Sequence, residues 1–287
     1  MATIKELLAY GKAQLEQSGN EYAQYERKVL LEEVLGCQYI YMLTHGDEHV
    51  PDEQAVRYKE LIGRRLEHYP LQYLIGTAHF MDYTFIVNEN VLIPRSDTEV
   101  LVEHADEILK SLLAKNDNQK EKISVLDLCC GSGCIGISLK LYHEKIAIFL
   151  SDFSKKAIEV TKKNLQKYAI DASVFCGDLF APLADRRFHM IVSNPPYIEH
   201  NIIGTLMPEV REYEPIKALD GGEDGLDFYR RIIKEASGYL NAGGYLMVEI
   251  GYNQGVSVVS LMEQAGFQEI QLKKDYAGLD RIVFGHL

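Results

Sequence analysis

No run of apolar residues in this 287-residue chain approaches the roughly 20 that would cross a bilayer. The opening stretch, MATIKELLAYGKAQLEQ, has neither the charged head nor the continuous apolar core of a secretory signal, so the expected location is the cytoplasm and no membrane is expected as a partner. Positive charge is scarce too: 30 Lys and Arg against 42 Asp and Glu leave a formal net charge of -12. Without a Lys/Arg-rich stretch the chain lacks the phosphate-neutralising footprint of nucleic-acid binders, and direct nucleic-acid binding is not expected. The five cysteines are an odd number. Cys129, Cys130 and Cys134 crowd one segment with no second Cys or His cluster to complete a tetrahedral site, so no metal is expected. Internal repeats and low-complexity tracts are missing. What is present is an ordinary globular composition, 47% hydrophobic and 25% charged, in a chain long enough for one large or two modest domains.

Apolar periodicity divides the chain. Ile4, Leu7, Leu8 and Leu15 recur at helical spacing, as do Tyr22, Tyr25, Val29, Leu30, Val34 and Leu35 before Gly36, and Ala55, Tyr58, Leu61, Ile62 and Leu66 before Pro70. Residues 1–71 are therefore expected to form a small helical bundle. From Gln72 to Pro94 the β-prone residues Tyr73, Leu74, Phe80, Tyr83, Phe85, Val87, Val91 and Ile93, broken by Gly76 and Asn88-Glu89-Asn90, suggest a hairpin linker. Residues 95–287 form the remaining domain. It opens on a helix capped by Ser96 or Asp97 and carrying Val100, Leu101, Ile108 and Leu112. After a polar linker, Lys115 to Lys122, strand candidates follow at 124–128, 146–151, 172–176, 190–193, 245–250, 269–273 and 281–285, with helices at 157–168 and 227–240. Such alternation predicts a mostly parallel, doubly wound sheet ending in an antiparallel strand pair.

Two loops in that domain carry chemistry. Val125 to Gly136 reads as an apolar strand, a glycine turn and a helix start; Gly131, Gly133 and Gly136 satisfy the dinucleotide pattern G-x-G-x-x-G, and Asp152 follows at the distance of a ribose ligand. The turn alone leaves a NAD-linked oxidoreductase open. Asp127 at the strand end favours S-adenosylmethionine, since a carboxylate attracts an ammonium and repels a pyrophosphate. Asp178 and Leu179, after the third strand, are placed to bind an adenine amino group and to pack on its ring.

The second loop is Asn194-Pro195-Pro196-Tyr197, directly after the fourth strand. Ligands of open parallel sheets bind outside the carboxyl ends of strands, so this loop is expected in the same crevice. The prolines stiffen it and remove competing donors. If Asn194 Oδ1 and the Pro195 carbonyl each accept one N–H while Tyr197 covers the plane, a planar NH2 group is oriented with its lone pair toward a sulfonium methyl. No separate base is required, because a methylated amide nitrogen readily loses its proton. An exocyclic adenine nitrogen presents the same geometry, so an adenine-N6 nucleic-acid methyltransferase is the main rival. A non-catalytic binding factor is a third.

With these residues in view the chain resembles the release factor glutamine methyltransferases, the PrmC or HemK family. The likeness spans nearly its whole length. It includes Pro70 to Gly76, Leu92-Ile93-Pro94-Arg95-Ser96-Asp97-Thr98-Glu99, the glycine turn, Asn194 to Tyr197, Val210 to Pro215, Gly221 to Asp227, Glu249 to Gln254 and Asp280-Arg281. The resemblance implies an α/β fold: a Rossmann-like class I methyltransferase domain preceded by a small helical bundle that recognises the release factor, and a hairpin linker. It implies S-adenosylmethionine as cofactor, with Asp127, Cys129, Cys130, Gly131, Ser132, Gly133, Asp152, Asp178, Leu179 and Asn194 around it. The substrate is then the glutamine of a Gly-Gly-Gln loop in class 1 peptide chain release factors, received by Asn194, Pro195, Pro196 and Tyr197, with Asn194, Pro195 and Tyr197 catalytic. A monomer is expected. Two departures stand out: Ser96 replaces the family's usual proline, and Cys129-Cys130 replace its usual Gly-Thr. Arg95 and Glu99 read either as shaping the pocket or as a surface ion pair, and Glu249 either as structural or as lining the crevice.

Overall fold

The computed structural model describes residues 1–115 and 122–287. The expected linker at 115–122 therefore lies almost wholly outside the described residues. The chain separates into two compact units, one formed by Met1–Thr77 with Met207–Tyr213, the other by Ala78–Leu206 with Glu214–Leu287.

The first unit is helical: α1 (Ile4–Gln17), α2 (Ala23–Leu35), α3 (Tyr39–Thr44), α4 (Asp52–Leu66) and α5 (Leu71–Ile75), joined by a later helix at Pro208–Tyr213. Thr3 and Glu6 form a reciprocal capping box that starts α1, and α2 stops at Gly36 in the left-handed conformation. The predicted apolar stripes meet in one core, with Leu7, Leu15, Leu30, Leu31, Tyr58 and Ile62 fully buried. Gly11 lets α4 approach α1, because a Cβ there would stand 2.0 Å from the Tyr58 hydroxyl. Arg65, buried on α4, donates to both oxygens of Glu26 at 2.7 and 3.0 Å and to Glu209 at 2.6 Å. Tyr213 adds a hydrogen bond to the Glu67 carbonyl at 2.7 Å.

A two-stranded sheet follows, β1 (Thr77–Phe80) and β2 (Tyr83–Ile86), which from Ala78 onward belongs to the second unit. The hairpin is shorter than its sequence suggests. Tyr73 and Leu74 belong to α5, whose apolar side chains pack with the helical core, and Val91 and Ile93 are buried in irregular chain. The turn falls at Met81-Asp82, where Met81 adopts a positive φ of 51° and its N–H donates to Glu99 at 2.6 Å.

After α6 (Ser96–Lys115) come β3 (Ser124–Leu128), α7 (Cys134–Tyr142), β4 (Ala147–Asp152), α8 (Lys155–Lys167), β5 (Ser173–Cys176), β6 (Phe188–Ser193), α9 (Pro208–Tyr213, the helix of the first unit), α10 (Asp227–Ala236), β7 (Leu240–Glu249), α11 (Gly255–Gln264), β8 (Gln268–Lys274) and β9 (Asp280–His286). The seven-stranded sheet runs β5-β4-β3-β6-β7-β9-β8, parallel through β7, with β9 antiparallel to both neighbours. Alternate strand residues feed opposite cores. Val125, Met190, Val192 and Met247 pack under α6, α7 and α8, whereas Leu126, Ile191, Leu246 and Val248 pack under α10 and α11. Two sequence boundaries move. α10 ends at Ala236, four residues early, and β7 begins at Leu240 through an irregular register at Phe188/Met190. The helix α11 carried no expectation.

Candidate functional site

Strand order reverses between β3 and β6: the chain proceeds from β3 outward to β5, then returns to the other side of β3 as β6. Loops leaving the two strands diverge there, and the gap at their carboxyl ends is where such sheets bind ligands. A cavity of about 780 Å³ occupies it. Its wall includes Cys129 to Ser132 after β3, Asp152 ending β4 and Phe153 after it, Asp178 and Leu179 after β5, Asn194 and Pro196 after β6, and Arg95 and Thr98 at the start of α6.

The glycine turn is held from several directions. Cys129 and Gly131 take left-handed φ values of 62° and 53°, which Gly131 adopts freely and Cys129 only against steric resistance. Gly131 N–H donates to Asp152 Oδ2 at 2.9 Å, and Ser154 N–H to Asp152 Oδ1 at 2.8 Å. On α8, Thr161 donates to the Gly131 carbonyl at 2.8 Å and Asn164 to the Ser132 carbonyl at 2.9 Å. Neither was anticipated, although both sit at inward positions of the α8 stripe (Ala157, Ile158, Val160, Thr161, Asn164, Leu165) where apolar residues are normal. A polar side chain at such a position was the available signal.

Asp127 departs from its expected place. It is fully buried and is not part of the cavity wall; its Oδ2 accepts Gly136 N–H at 2.8 Å across the first turn of α7, and its Oδ1 has no hydrogen-bond partner among the described residues. Burial raises its carboxyl to about 7, against the pull of the Gly136 bond. A carboxylate that already occupies a helix N-terminus leaves no place for a pyrophosphate, which argues against the dinucleotide reading of the glycine pattern. Gly133 likewise stands off the wall. With φ 81° it caps α7, and a Cβ there would press on Ile137 and Thr161 at 3.0 Å.

The fourth-strand loop is only partly as expected. Asn194 and Pro196 reach the cavity; Pro195 and Tyr197 are not on its wall. Tyr197 turns inward because its partners lie behind the loop: its hydroxyl faces Glu249 Oε1 at 3.5 Å and its carbonyl accepts Gln254 Nε2 at 2.9 Å. Gly221 and Gly225 pack directly on it, where a Cβ would stand 2.7 Å from Tyr197 Cα and 2.4 Å from its carbonyl oxygen. Asn194 Nδ2 donates to Thr98 Oγ1 at 3.1 Å.

Charged groups around the loop are paired. Arg95 lines the cavity and binds the buried Glu214. Asp178, exposed at the rim, binds Arg231 at 2.6 Å. Glu249 is buried, and desolvation pushes its carboxyl up to about 7 although Thr98, Arg281 and Tyr197 each favour its ionised form. Arg281 is buried against Asp275 at 3.0 Å. Thr98, Glu214 and Arg281 lay inside recognised motifs without an assigned role.

The residues present suit S-adenosylmethionine. Asp152, with both oxygens committed to one backbone N–H each, keeps lone pairs for two hydroxyls. Buried Leu179 and Ile135 offer apolar surface to a heterocycle.

Comparison with known proteins agrees with this geometry. Residues 6–76 match the PrmC N-terminal domain and residues 99–207 the methyltransferase small domain. A release factor glutamine methyltransferase of Geobacter sulfurreducens is 39% identical over 285 residues, 99% of this chain and 97% of that protein. One from Clostridium botulinum is 39% identical over 98% of each. Among solved structures, the hMettl16 catalytic domain in complex with a 3'UTR hairpin shares the fold, with a TM-score of 0.54 at 14% identity over 82% of this chain and 81% of that one. The full-length identity, the two domain matches and a cavity at the β3/β6 switch point agree: this chain belongs to the release factor glutamine methyltransferase family.

Proposed function

We propose that the protein transfers a methyl group from S-adenosylmethionine to the side-chain amide nitrogen of the glutamine in the Gly-Gly-Gln loop of class 1 peptide chain release factors. The observation that carries this reading is the carboxamide of Asn194, on the wall of the same cavity as the glycine turn and Asp152, with its NH2 end already bound to Thr98. Its oxygen is left to accept a hydrogen bond from an incoming NH2 group.

When bound, S-adenosylmethionine supplies an electrophilic methyl carbon. The chain's own residues bind and orient. Asp152 accepts the ribose hydroxyls, Leu179 packs on the adenine and Asp178 takes its amino group. The backbone from Cys129 to Ser132 would hold the methionine portion, Asn194 Oδ1 accepts a hydrogen bond from the glutamine amide NH2, and Pro196 confines it, with Pro195 stiffening the loop from behind the wall. Tyr197 serves from behind, anchoring the loop through Glu249 and Gln254. Residues 1–71 form the helical domain that recognises the release factor, 72–94 link it, and 95–287 form the methyltransferase domain. The enzyme acts as a cytoplasmic monomer.

The test is methyl transfer from labelled S-adenosylmethionine to a purified class 1 release factor, with duplex DNA as the alternative acceptor. The expected result is one methyl on the Gly-Gly-Gln glutamine, by mass spectrometry. Asn194→Ala should lower kcat at least about 100-fold, the range for removing one group that positions the reacting centre, with cofactor affinity retained. Methylation of DNA and not of the release factor, or a fully active Asn194→Ala enzyme, overturns the proposal.

A further inference from the structure

We infer that Thr98 is a positioning residue whose hydroxyl, held between the Glu249 carboxylate and the Asn194 carboxamide, fixes which end of that carboxamide faces the cavity. The inference deepens the reading above and rests on it: the site accepts an NH2 donor because Thr98 keeps Asn194 oriented as an acceptor.

Three elements bring the groups together. Thr98 lies in the first turn of α6, is 3% exposed and lines the cavity. Ser193 on β6 and Val248 on β7 are register partners, so Asn194 and Glu249 are the next residues along two adjacent strands. Thr98 Oγ1 accepts from Asn194 Nδ2 at 3.1 Å, and the same hydroxyl lies close enough to the Glu249 carboxyl to favour its ionised form, which makes that carboxyl the acceptor available to its hydrogen. The order of donors follows from counting hydrogens. A threonine hydroxyl has one, and an ionised carboxylate only accepts. Once Thr98 gives its hydrogen to Glu249, its oxygen offers only lone pairs to Asn194, and the Asn194 end that turns toward it must be the NH2. Oδ1 is thereby directed to the other side. The two ends of a carboxamide are nearly the same size, so shape alone would not hold this orientation.

Burial is the largest influence on Glu249 and raises its carboxyl to about 7; of the groups facing it, Arg281 and Tyr197 favour the ionised form and Asp97 opposes it, so the carboxylate that takes the Thr98 hydrogen forms as pH rises through that value. Without the Thr98 hydroxyl, Asn194 is free to turn its NH2 into the cavity. Two NH2 groups would then face each other, and the amide of a glutamine would be repelled where it must be held.

The hydroxyl is separable from the bulk of the side chain. Thr98→Val keeps the shape and removes the hydrogen bonds; Thr98→Ser keeps the hydroxyl. With a release factor as acceptor, Thr98→Val should lower kcat about 100-fold with the affinity for S-adenosylmethionine, read by calorimetry, within about twofold. Thr98→Ser should recover kcat to within about threefold of wild type. A purely structural role would instead move cofactor affinity and thermal stability together with kcat, and serine would rescue no better than valine; either result overturns the inference. The orientation is also readable without substrate. In an 15N-labelled wild-type protein the Asn194 side-chain NH2 should exchange slowly with solvent, as it should in Thr98→Ser. Free exchange in the wild type defeats the inference even if Thr98→Val fails to fold. A wild type with a protected Asn194 NH2 that methylates no release factor supports the orientation and refutes only the substrate.

Discussion

Glu249 sets a pH dependence with a definite sign. In the unfolded chain its carboxyl titrates near 4.5; in the folded protein burial moves it to about 7. Between those values the unfolded chain has ionised while the folded one holds its proton, so the folded state binds more protons and loses stability as pH rises. The contribution is intact below pH 4.5 and gone above 7. At about 1.4 kcal/mol per pH unit, the change between pH 5 and pH 8 comes to about 2–3 kcal/mol. Glu249→Gln removes the charge and keeps an oxygen to accept from Thr98 and Tyr197. Urea unfolding of wild type and variant at both pH values isolates the effect, because any constant consequence of the swap cancels in the difference and Asp127, shifted in the same direction, is common to both. Relative to wild type, Glu249→Gln should gain about 2–3 kcal/mol between pH 5 and pH 8. An equal stability difference at the two pH values would mean that Glu249 does not hold a proton in the fold. The same titration should give kcat a limb that rises through about pH 7 in the wild type and flattens in Glu249→Gln, since only the ionised carboxylate commits the Thr98 hydrogen.

Asp152→Ala removes the acceptor of Gly131 and Ser154 N–H together with the proposed ribose ligand. Hydrogen bonds to a charged group contribute about 1.5–3 kcal/mol each, so affinity for S-adenosylmethionine should fall about 100-fold or more by calorimetry; a tenfold loss or less would place the ribose elsewhere. Arg65→Leu strands the buried Glu26 carboxylate, for which Asn20 at 2.7 Å is only a partial substitute. The cost should be about 3–5 kcal/mol in chemical denaturation, and a cost below about 1 kcal/mol would show the ion pair to be replaceable.

Periodicity revealed most of the sheet because each of its strands has one dominant pattern. β3 appears at its full length, and β4, β5, β8 and β9 within a residue at either end. The failures have local causes. Tyr73 and Leu74 have β-prone side chains, yet both are buried from a helical turn between Pro70 and Gly76, and burial outweighs propensity. The irregular start of β7 places polar and glycine residues inside a strand, which no alternation rule detects. In the site, motif and spacing located the glycine turn, Asp152 and Asn194. They misplaced Asp127 and Tyr197 because a sequence gives a residue's position on a strand end and not the side to which its hydrogen-bond partners draw it. Gly136 N–H draws Asp127 behind the turn, and Glu249 with Gln254 draws Tyr197 behind the loop. Thr98 and Asn164 were illegible for the related reason that their partners are distant in the chain.

Between Asn194 and Pro215, both bordering or lining the cavity, the polypeptide leaves one unit for seven residues and folds with the other. Arg65 and the Glu67 carbonyl secure that excursion through Glu209 and Tyr213. An amputation at Thr77 would therefore do more than discard a helical unit. It would strip residues 207–213 of the partners that fold them and turn one margin of the ligand chamber into a slack tether. Loss of the helical unit should consequently register as weakened cofactor retention before any release factor is offered.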